Sequence, residues 1–308
     1  MTARLALLCP GQGGQHAAMF DLAGSDPAAA ALLQQWLPET QLGQPLQQIL
    51  ADDALLFSNR LAQPLIVAAT AAVWSALQPL LPGPALVAGY SVGEIAAYHV
   101  AGAVSAPQAI RLAASRAELM DACLQAESPQ VLFAVNGVAV RSLAALLAQH
   151  SLYVAIETDA DSCIAGGLAR DMHLAAKEIA HLGGRIRLLP VTVASHTPLM
   201  DGAVLPFAQQ LRQEFSADPQ LPVLSGLSGQ ALIKKEQAIT VLSQQMAQTI
   251  HWSACMDACA EQGVTAALEL GPGAALARML HARHPQIACR SVSEFRSLQG
   301  VRSWLQRL

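Results

Sequence analysis

The sequence predicts an α/β protein whose parallel sheet is covered on both faces. Three observations carry this. Short apolar runs at Ala3–Cys9, Ala85–Ala88 and Ala266–Leu270 each end in a glycine-bearing turn, and helix-favouring segments follow them. Between Gln130 and Leu189 the pattern changes to β-α-β-β-α-β, the order of a ferredoxin-like unit. Strand–helix alternation then resumes. The ferredoxin-like unit therefore reads as a small subdomain, 127–193, inserted into a discontinuous large domain, 1–126 and 194–308.

Taken in order, Ala3–Cys9 is a buried strand running into the loop Pro10-Gly11-Gln12-Gly13-Gly14-Gln15. Helices are expected at His16–Leu22, Pro27–Trp36 and Ala62–Gln78. Ala85–Ala88 is a strand, and Gly89-Tyr90-Ser91-Val92-Gly93 turns it into a helix over Val92–Ala101. Ala106–Gln125 is an amphipathic helix. In the insert, Gln130–Asn136, Tyr153–Glu157, Ser162–Ala165 and Arg185–Leu189 are strands, with helices at Val140–Gln149 and Ala169–Leu182. After Ser195-His196-Thr197-Pro198 come a helix Leu199–Phe215, a short strand Val223–Ser225 and a half-hairpin at Gln230–Ile233. Helices Glu236–Thr249 and Trp252–Gln262, strand Ala266–Leu270 and helix Ala274–Ala282 complete the reading.

Composition narrows the function classes. Of 308 residues, 53% are hydrophobic and 13% charged, so a large core is available and disorder is excluded. A net charge of −4 gives no footprint of a nucleic-acid binder. Six arginines from Arg278 to Arg307 make the C-terminal region locally basic, read as solvated helix faces or a docking patch for an acidic partner. The six cysteines contain no Cys-x-x-Cys pair, and most sit in apolar runs. Reduced thiols, no metal site and a cytoplasmic location are expected. The apolar run Leu65–Leu81 is interrupted by Thr70, Ser75, Gln78 and Pro79, which favours a buried core helix over a membrane span. The apolar run before Pro10 is too short for a signal peptide.

The chemistry centres on Ser91. Gly-x-Ser-x-Gly between a strand and a helix is a nucleophile elbow: small flanking residues permit a sharp turn that presents the hydroxyl at a helix N-terminus. A serine needs a base and donors for the oxyanion it creates. His196 is the best-placed histidine, after a strand and before a helix-starting proline; a capping or surface histidine is the alternative. Asp159 and Asp161 lie between Ser91 and His196 but in the insert, where an acid need not reach the base, so the sequence hands over no clean triad. The Pro10–Gln15 loop lacks both the third glycine of a dinucleotide loop and the Gly-Lys-Ser/Thr of a phosphate loop. It is either an oxyanion loop or a plain turn. Arg116 is either a solvated helix arginine or an inward fork for a carboxylate.

Four blocks, in this order, resemble the malonyl-CoA:acyl-carrier-protein acyltransferase family: Pro10–Gln15, Gly89-Tyr90-Ser91-Val92-Gly93-Glu94, Ser195-His196-Thr197-Pro198-Leu199-Met200 and Glu269-Leu270-Gly271-Pro272-Gly273. Gln63-Pro64 and Arg116-Ala117-Glu118-Leu119-Met120 support them. The resemblance implies an α/β-hydrolase-like core with an inserted ferredoxin-like subdomain. It implies a Ser91–His196 dyad working by ping-pong transfer, with the main-chain carbonyl of Gln245 (or of its neighbour Gln244) orienting the base. Backbone N–H groups of Gln12 and Val92 would form the oxyanion hole, and Arg116 would bind the malonyl carboxylate beside Gln63. It implies malonyl-CoA as donor, the phosphopantetheine-type arm of an acyl-carrier protein as acceptor, and no permanently bound cofactor. Three departures stand out. Tyr90 replaces the family's usual histidine, Gly14 its serine, and Glu157-Thr158-Asp159-Ala160 an Asn-Ser-Pro-like stretch. They resemble the malonate decarboxylase epsilon branch, which implies a decarboxylase carrier and its other subunits as partners. Fatty-acid or polyketide synthesis is the alternative, and a serine esterase or thioesterase a further one.

Overall fold

The structure, a computed structural model, describes residues 3–308. Its strands, in chain order, are β1 (Leu5–Cys9), β2 (Leu86–Gly89), β3 (Gln130–Asn136), β4 (Tyr153–Asp159), β5 (Ser162–Leu168), β6 (Arg185–Leu188), β7 (Val223–Leu224), β8 (Ala231–Leu232), β9 (Ile250–His251), β10 (Ala266–Glu269) and β11 (Ala288–Ser291). They make two sheets. The larger has the order β11-β10-β1-β2-β7-β8. It is parallel from β11 to β7 and closes on the short antiparallel pair β7–β8.

Strand β1 shows why this sheet is double-faced. All five of its residues are buried. Leu5, Leu7 and Cys9 point into one apolar core and Ala6 and Leu8 into another, as the two-residue repeat of a strand demands. The first core is built on the helix Asn59–Leu77. That helix is long and apolar enough to cross a membrane, yet 89% of its most apolar window is buried within the protein. The second core takes Trp252, Cys255 and Met256 from the helix Trp252–Glu261, and Leu276 and Leu280 from Ala275–Arg283.

The smaller sheet has the order β6-β3-β5-β4-β9. Its first four strands pair antiparallel, as a ferredoxin-like unit should. They carry the helices Val140–Gln149 and Ala169–His181 over a core of their own. The fifth strand was not anticipated. β9 comes from the C-terminal part of the chain and lies parallel to β4, Ile250 beside Ile156 and His251 beside Glu157. The two sheets are thus joined through backbone pairing as well as through the chain connections.

Other differences from the sequence reading have local causes. The helix expected over Glu236–Thr249 stops at Gln244. Beyond it the Met246 carbonyl accepts the His196 backbone N–H at 2.8 Å, so the chain leaves the helix to serve His196. The helix expected from Leu199 begins as a 3₁₀ turn, Pro198–Met200, before Asp201–Glu214. Short helices Leu46–Leu50 and Asp53–Leu56 and a C-terminal helix Leu298–Leu305 were not assigned from sequence.

Candidate active site

The elbow forms where β2 meets the helix Gly93–Val100. Ser91 adopts φ +56°, a left-handed conformation that a side chain-bearing residue holds only when its surroundings impose it. Gly93 shows the imposition. A Cβ there would lie 2.2 Å from the Cys9 carbonyl oxygen, so only glycine lets the helix start that close to β1. Across the same gap, a Cβ on Gly11 would meet the Tyr90 carbonyl oxygen at 2.6 Å. The Pro10–Gln15 loop therefore packs directly on the elbow.

His196 arrives from an irregular segment and also has positive φ, +61°. It is almost fully buried. Its Nε2 lies 2.7 Å from Ser91 Oγ, and its Nδ1 lies 2.6 Å from the Gln245 carbonyl oxygen. A carbonyl can only accept, so Nδ1 carries the proton. Nε2 then presents its lone pair to the serine hydroxyl. Among the described residues no carboxylate is hydrogen-bonded to the imidazole. Of the two glutamines left open from sequence, the structure puts Gln245 in contact with the ring.

Arg116 points inward from the helix Ala106–Asp121 and is fully buried. Its Nη2 is 3.3 Å from Ser91 Oγ, and its Nη1 donates to Gln63 Oε1 at 2.7 Å. Gln63 in turn donates to Asn59 Oδ1 at 2.7 Å, and Asn59 donates to Asp121 Oδ1 at 2.8 Å. This line of amides fixes the guanidinium plane beside the nucleophile. Its Nε has no partner among the described residues. A buried, fixed cation with donors to spare next to a serine is chemically suited to pairing with an anion.

The two backbone groups expected to form the oxyanion hole flank the same point. Gln12 lies in the loop packed on the elbow, and Val92 follows the serine at the head of the elbow helix. Neither N–H has an acceptor among the described residues. The loop is shaped from inside: Gly13 N–H donates to Gln15 Oε1 at 2.6 Å, and Gln15 reaches the Leu56 carbonyl at 3.4 Å.

The electrostatics follow from burial. Desolvation, helped by the Arg116 charge, pushes the His196 imidazole down to about 3, so it is neutral throughout the ordinary pH range. Desolvation lowers Arg116 to about 10, where it stays charged near neutrality. Glu94, buried three residues after the nucleophile, is raised by desolvation to about 7.

Around this centre the surface opens. An open cleft of about 490 Å³ is lined by His196, Pro198 and Leu227 on one side and by Ala148, Tyr153 and Val154 of the smaller sheet's unit on the other. Of the sequence departures, Gly14 packs against Pro272 in the large unit, whereas Tyr90 and the stretch Glu157–Ala160 lie near the join. The Tyr90 ring packs edge-on against Trp252, centroids 5.2 Å apart. Glu157 accepts from His251 at 3.1 Å, and Asp159 accepts from Arg283 at 2.8 Å.

All seven residues singled out from the sequence converge here. Sequence reasoning missed Asn59, Met246 and any part for Glu94. Asn59 lies one helical turn before Gln63 and was in principle findable; a backbone carbonyl such as that of Met246 leaves no mark in a sequence.

Comparison with known proteins places the chain in a family. The model of the acyl transferase domain family matches residues 6–299. The chain is 34% identical over 276 residues to the malonyl CoA-acyl carrier protein transacylase of Mycobacterium bovis, covering 88% of this chain and 90% of that one. Among solved structures, it superposes on the Mycobacterium tuberculosis MCAT with a TM-score of 0.86 at 31% identity, covering 98% and 99% of the two chains. It shares its fold with the malonyl CoA-acyl carrier protein transacylase of Coxiella burnetii, TM-score 0.92 at 23% identity over 100% and 98%. With a family match over nearly its whole length and an elbow serine, a buried histidine and a buried arginine within reach of one another, this chain belongs to the acyl transferase domain family.

Proposed function

We propose that the protein moves a malonyl group from malonyl-CoA to the thiol of an acyl-carrier protein, by way of a malonyl-Ser91 intermediate. The observation that carries the reading is Arg116, a fully buried guanidinium 3.3 Å from the Ser91 hydroxyl. An acyl chain ending in carboxylate would pair with it through two parallel hydrogen bonds. An acetyl group would leave the charge buried and unpaired, at a cost of a few kcal/mol.

In the first half-reaction the Ser91 proton passes to His196 Nε2 as Oγ attacks the thioester carbonyl. The Gln12 and Val92 N–H groups hold the oxyanion, and the Gln245 carbonyl supports the imidazolium through Nδ1–H. The C–S bond breaks, and the CoA sulfur leaves with the proton from His196. A carrier thiol repeats these steps in reverse, giving its proton to His196 and taking the malonyl group from Ser91. No resident cofactor enters the scheme, and a cytoplasmic location belongs to the same reading.

The acceptor is read as the acyl-carrier protein of fatty-acid or polyketide synthesis. The names of the relatives favour it over the malonate decarboxylase carrier that the sequence departures suggested. Those departures also have another role: Tyr90 packs on Trp252 within the large unit, while Glu157 and Asp159 of β4 hold His251 and Arg283 of the large unit, and so help bind the two units together.

Intact mass spectrometry after mixing with malonyl-CoA tests the reading. A malonyl-sized adduct absent from Ser91→Ala is expected. Arg116→Ala should lower malonyl-adduct formation relative to acetyl by about 10²-fold; an unchanged preference would sink the carboxylate-receptor role. Offering carriers with ordinary and phosphoribosylated arms then decides the acceptor.

A further inference from the structure

Behind the dyad, on the side away from the cleft, the elbow helix carries a carboxylate that the transfer steps do not use. Glu94 is fully buried, as is Gln245. Glu94 Oε2 accepts two hydrogen bonds: one from the Gln245 side-chain amide and one from the Gly226 backbone N–H, at 3.0 Å. A Cβ on Gly226 would come within 3.0 Å of both the Gln245 amide nitrogen and Glu94 Oε2. Gly226 also accepts the backbone N–H of His251, the second residue of β9, at 2.8 Å. Three separate segments therefore meet on one carboxylate oxygen.

The position of Gln245 gives this meeting its meaning. Its side chain is held by Glu94, and its main-chain carbonyl is the acceptor for His196 Nδ1. The next carbonyl, Met246, accepts the His196 backbone N–H. This segment lies just past the end of the helix Lys235–Gln244, where no intrahelical ladder fixes the direction of its carbonyls. Something else must do so, and Glu94 is the anchor that reaches it.

We infer that Glu94 is a positioning residue for the base: by gripping the Gln245 side chain it keeps the Gln245 carbonyl on His196 Nδ1, and so holds the tautomer that activates Ser91. The inference rests on the Ser91–His196 dyad of the reading above. Nucleophile and anchor sit in one rigid turn, at Ser91 and Glu94. A shift of the elbow would thus carry along the segment that orients the base.

The test uses the full chain and two reagents for Ser91. One is malonyl-CoA. The other is a fluorophosphonate, which needs the dyad but neither Arg116 nor a carrier. Glu94→Ala should slow single-turnover modification by both reagents about 10²-fold, since a displaced base loses its alignment. The apparent Kd for malonyl-CoA should stay within about twofold. Glu94→Gln should recover most of the rate, because its amide oxygen can accept from the same Gln245 and Gly226 donors. Gln245→Ala keeps the main-chain carbonyl but removes the grip, and tests the tie from its other end should Glu94→Ala fold poorly. It should match Glu94→Ala, and the double variant should be no slower than either. The downfield proton resonance of His196 Nδ1–H should move or broaden in Glu94→Ala and return in Glu94→Gln.

Wild-type rates in Glu94→Ala or Gln245→Ala would overturn the inference. So would slow variants with an unmoved Nδ1–H resonance, or losses that multiply in the double variant. If the wild-type protein reacts with fluorophosphonate but not with malonyl-CoA, the malonyl reading fails while the Glu94 test proceeds on the reagent.

Discussion

The two faces of the active site are held by different physics. On the large-sheet side, Ser91, His196, Arg116 and Gln245 are fixed by glycine-enforced backbone contacts and buried hydrogen bonds. On the smaller-sheet side, Leu132, Ala155 and Ile156 share an apolar core with Leu8, Ile250 and Trp252, while the outer part of the join is a two-residue strand, β9, and polar pairs such as Arg283 with Asp159, whose side chains are a quarter and a half exposed. The first arrangement leaves little room for movement, because its contacts are backbone against backbone and its hydrogen bonds are buried. The outer, polar part of the second is the adjustable one, because exposed ion pairs are weak and re-form. Chemistry that needs a fixed nucleophile and base sits on the rigid side. The open cleft beside His196 lies against the adjustable one.

The largest effect should come from breaking the rigid side at its base. His196→Ala removes the proton acceptor 2.7 Å from Ser91. Single-turnover acylation should fall by about 10⁴-fold, the upper range for a positioned general base. The fold should survive, since the imidazole contributes chemistry more than packing volume. Retained acylation would mean that another group takes the Ser91 proton.

Next in size is the backbone that presents the nucleophile. In Gly93→Ala the new methyl must find room where the Cys9 carbonyl stands at 2.2 Å. The atoms it would meet are all Cys9–Pro10 backbone, which leaves nothing flexible to yield. About 3 kcal/mol of stability should be lost, with a lower Tm by calorimetry and a slower elbow serine. A variant with wild-type Tm and activity would show that the helix–strand approach is looser than the geometry implies.

The sequence made the rigid side legible and left most of the adjustable side hidden, for a physical reason. Gly89, Ser91 and Gly93 are read because a tight turn admits only small residues, a constraint on residue type. His196 stood out by its context between strand and helix. The insert's four strands were placed because each has its own apolar pattern and turn. By contrast, β9 is two residues long and lies between helices, and its pairing depends on where β4 ends up in space. The base's orienting group is a main-chain carbonyl, which every residue has, so its identity came only from the family resemblance. On pattern alone Arg116 read as a solvated helix arginine; burial next to Gln63 is a tertiary fact.

A pH measurement probes the rigid side more gently. Burial and the Arg116 charge hold His196 at about 3, well below its ordinary value of 6.5. A base must be neutral to accept a proton, so lowering the pH through 6.5 should not switch it off. The acid limb of kcat/KM should therefore lie below the usual histidine range. Arg116→Gln removes one of the two causes, and the limb should move toward higher pH. The same direction is expected for kcat, because a bound acyl carboxylate neutralises Arg116. A limb centred at an ordinary histidine value in the wild-type protein would contradict the buried, cation-flanked site.

The smallest effect should come from the adjustable side. Arg283 donates to Asp159 at 2.8 Å across the join, and also to both oxygens of Asp257. Its side chain is 25% exposed and that of Asp159 54%. Asp159→Ala removes the cross-join partner and leaves the Asp257 pair in place. The change in stability should be no more than about 0.5 kcal/mol, shrinking further in high salt. Acylation by malonyl-CoA should be unaffected, because no group of the dyad or of the Arg116 line touches this pair. If the two sides divide the labour as their construction indicates, any effect will fall on the carrier step, where the smaller sheet's unit borders the cleft. Slower acylation in Asp159→Ala would instead mean that the join helps hold the base, through β9 and the Gln245 segment just before it.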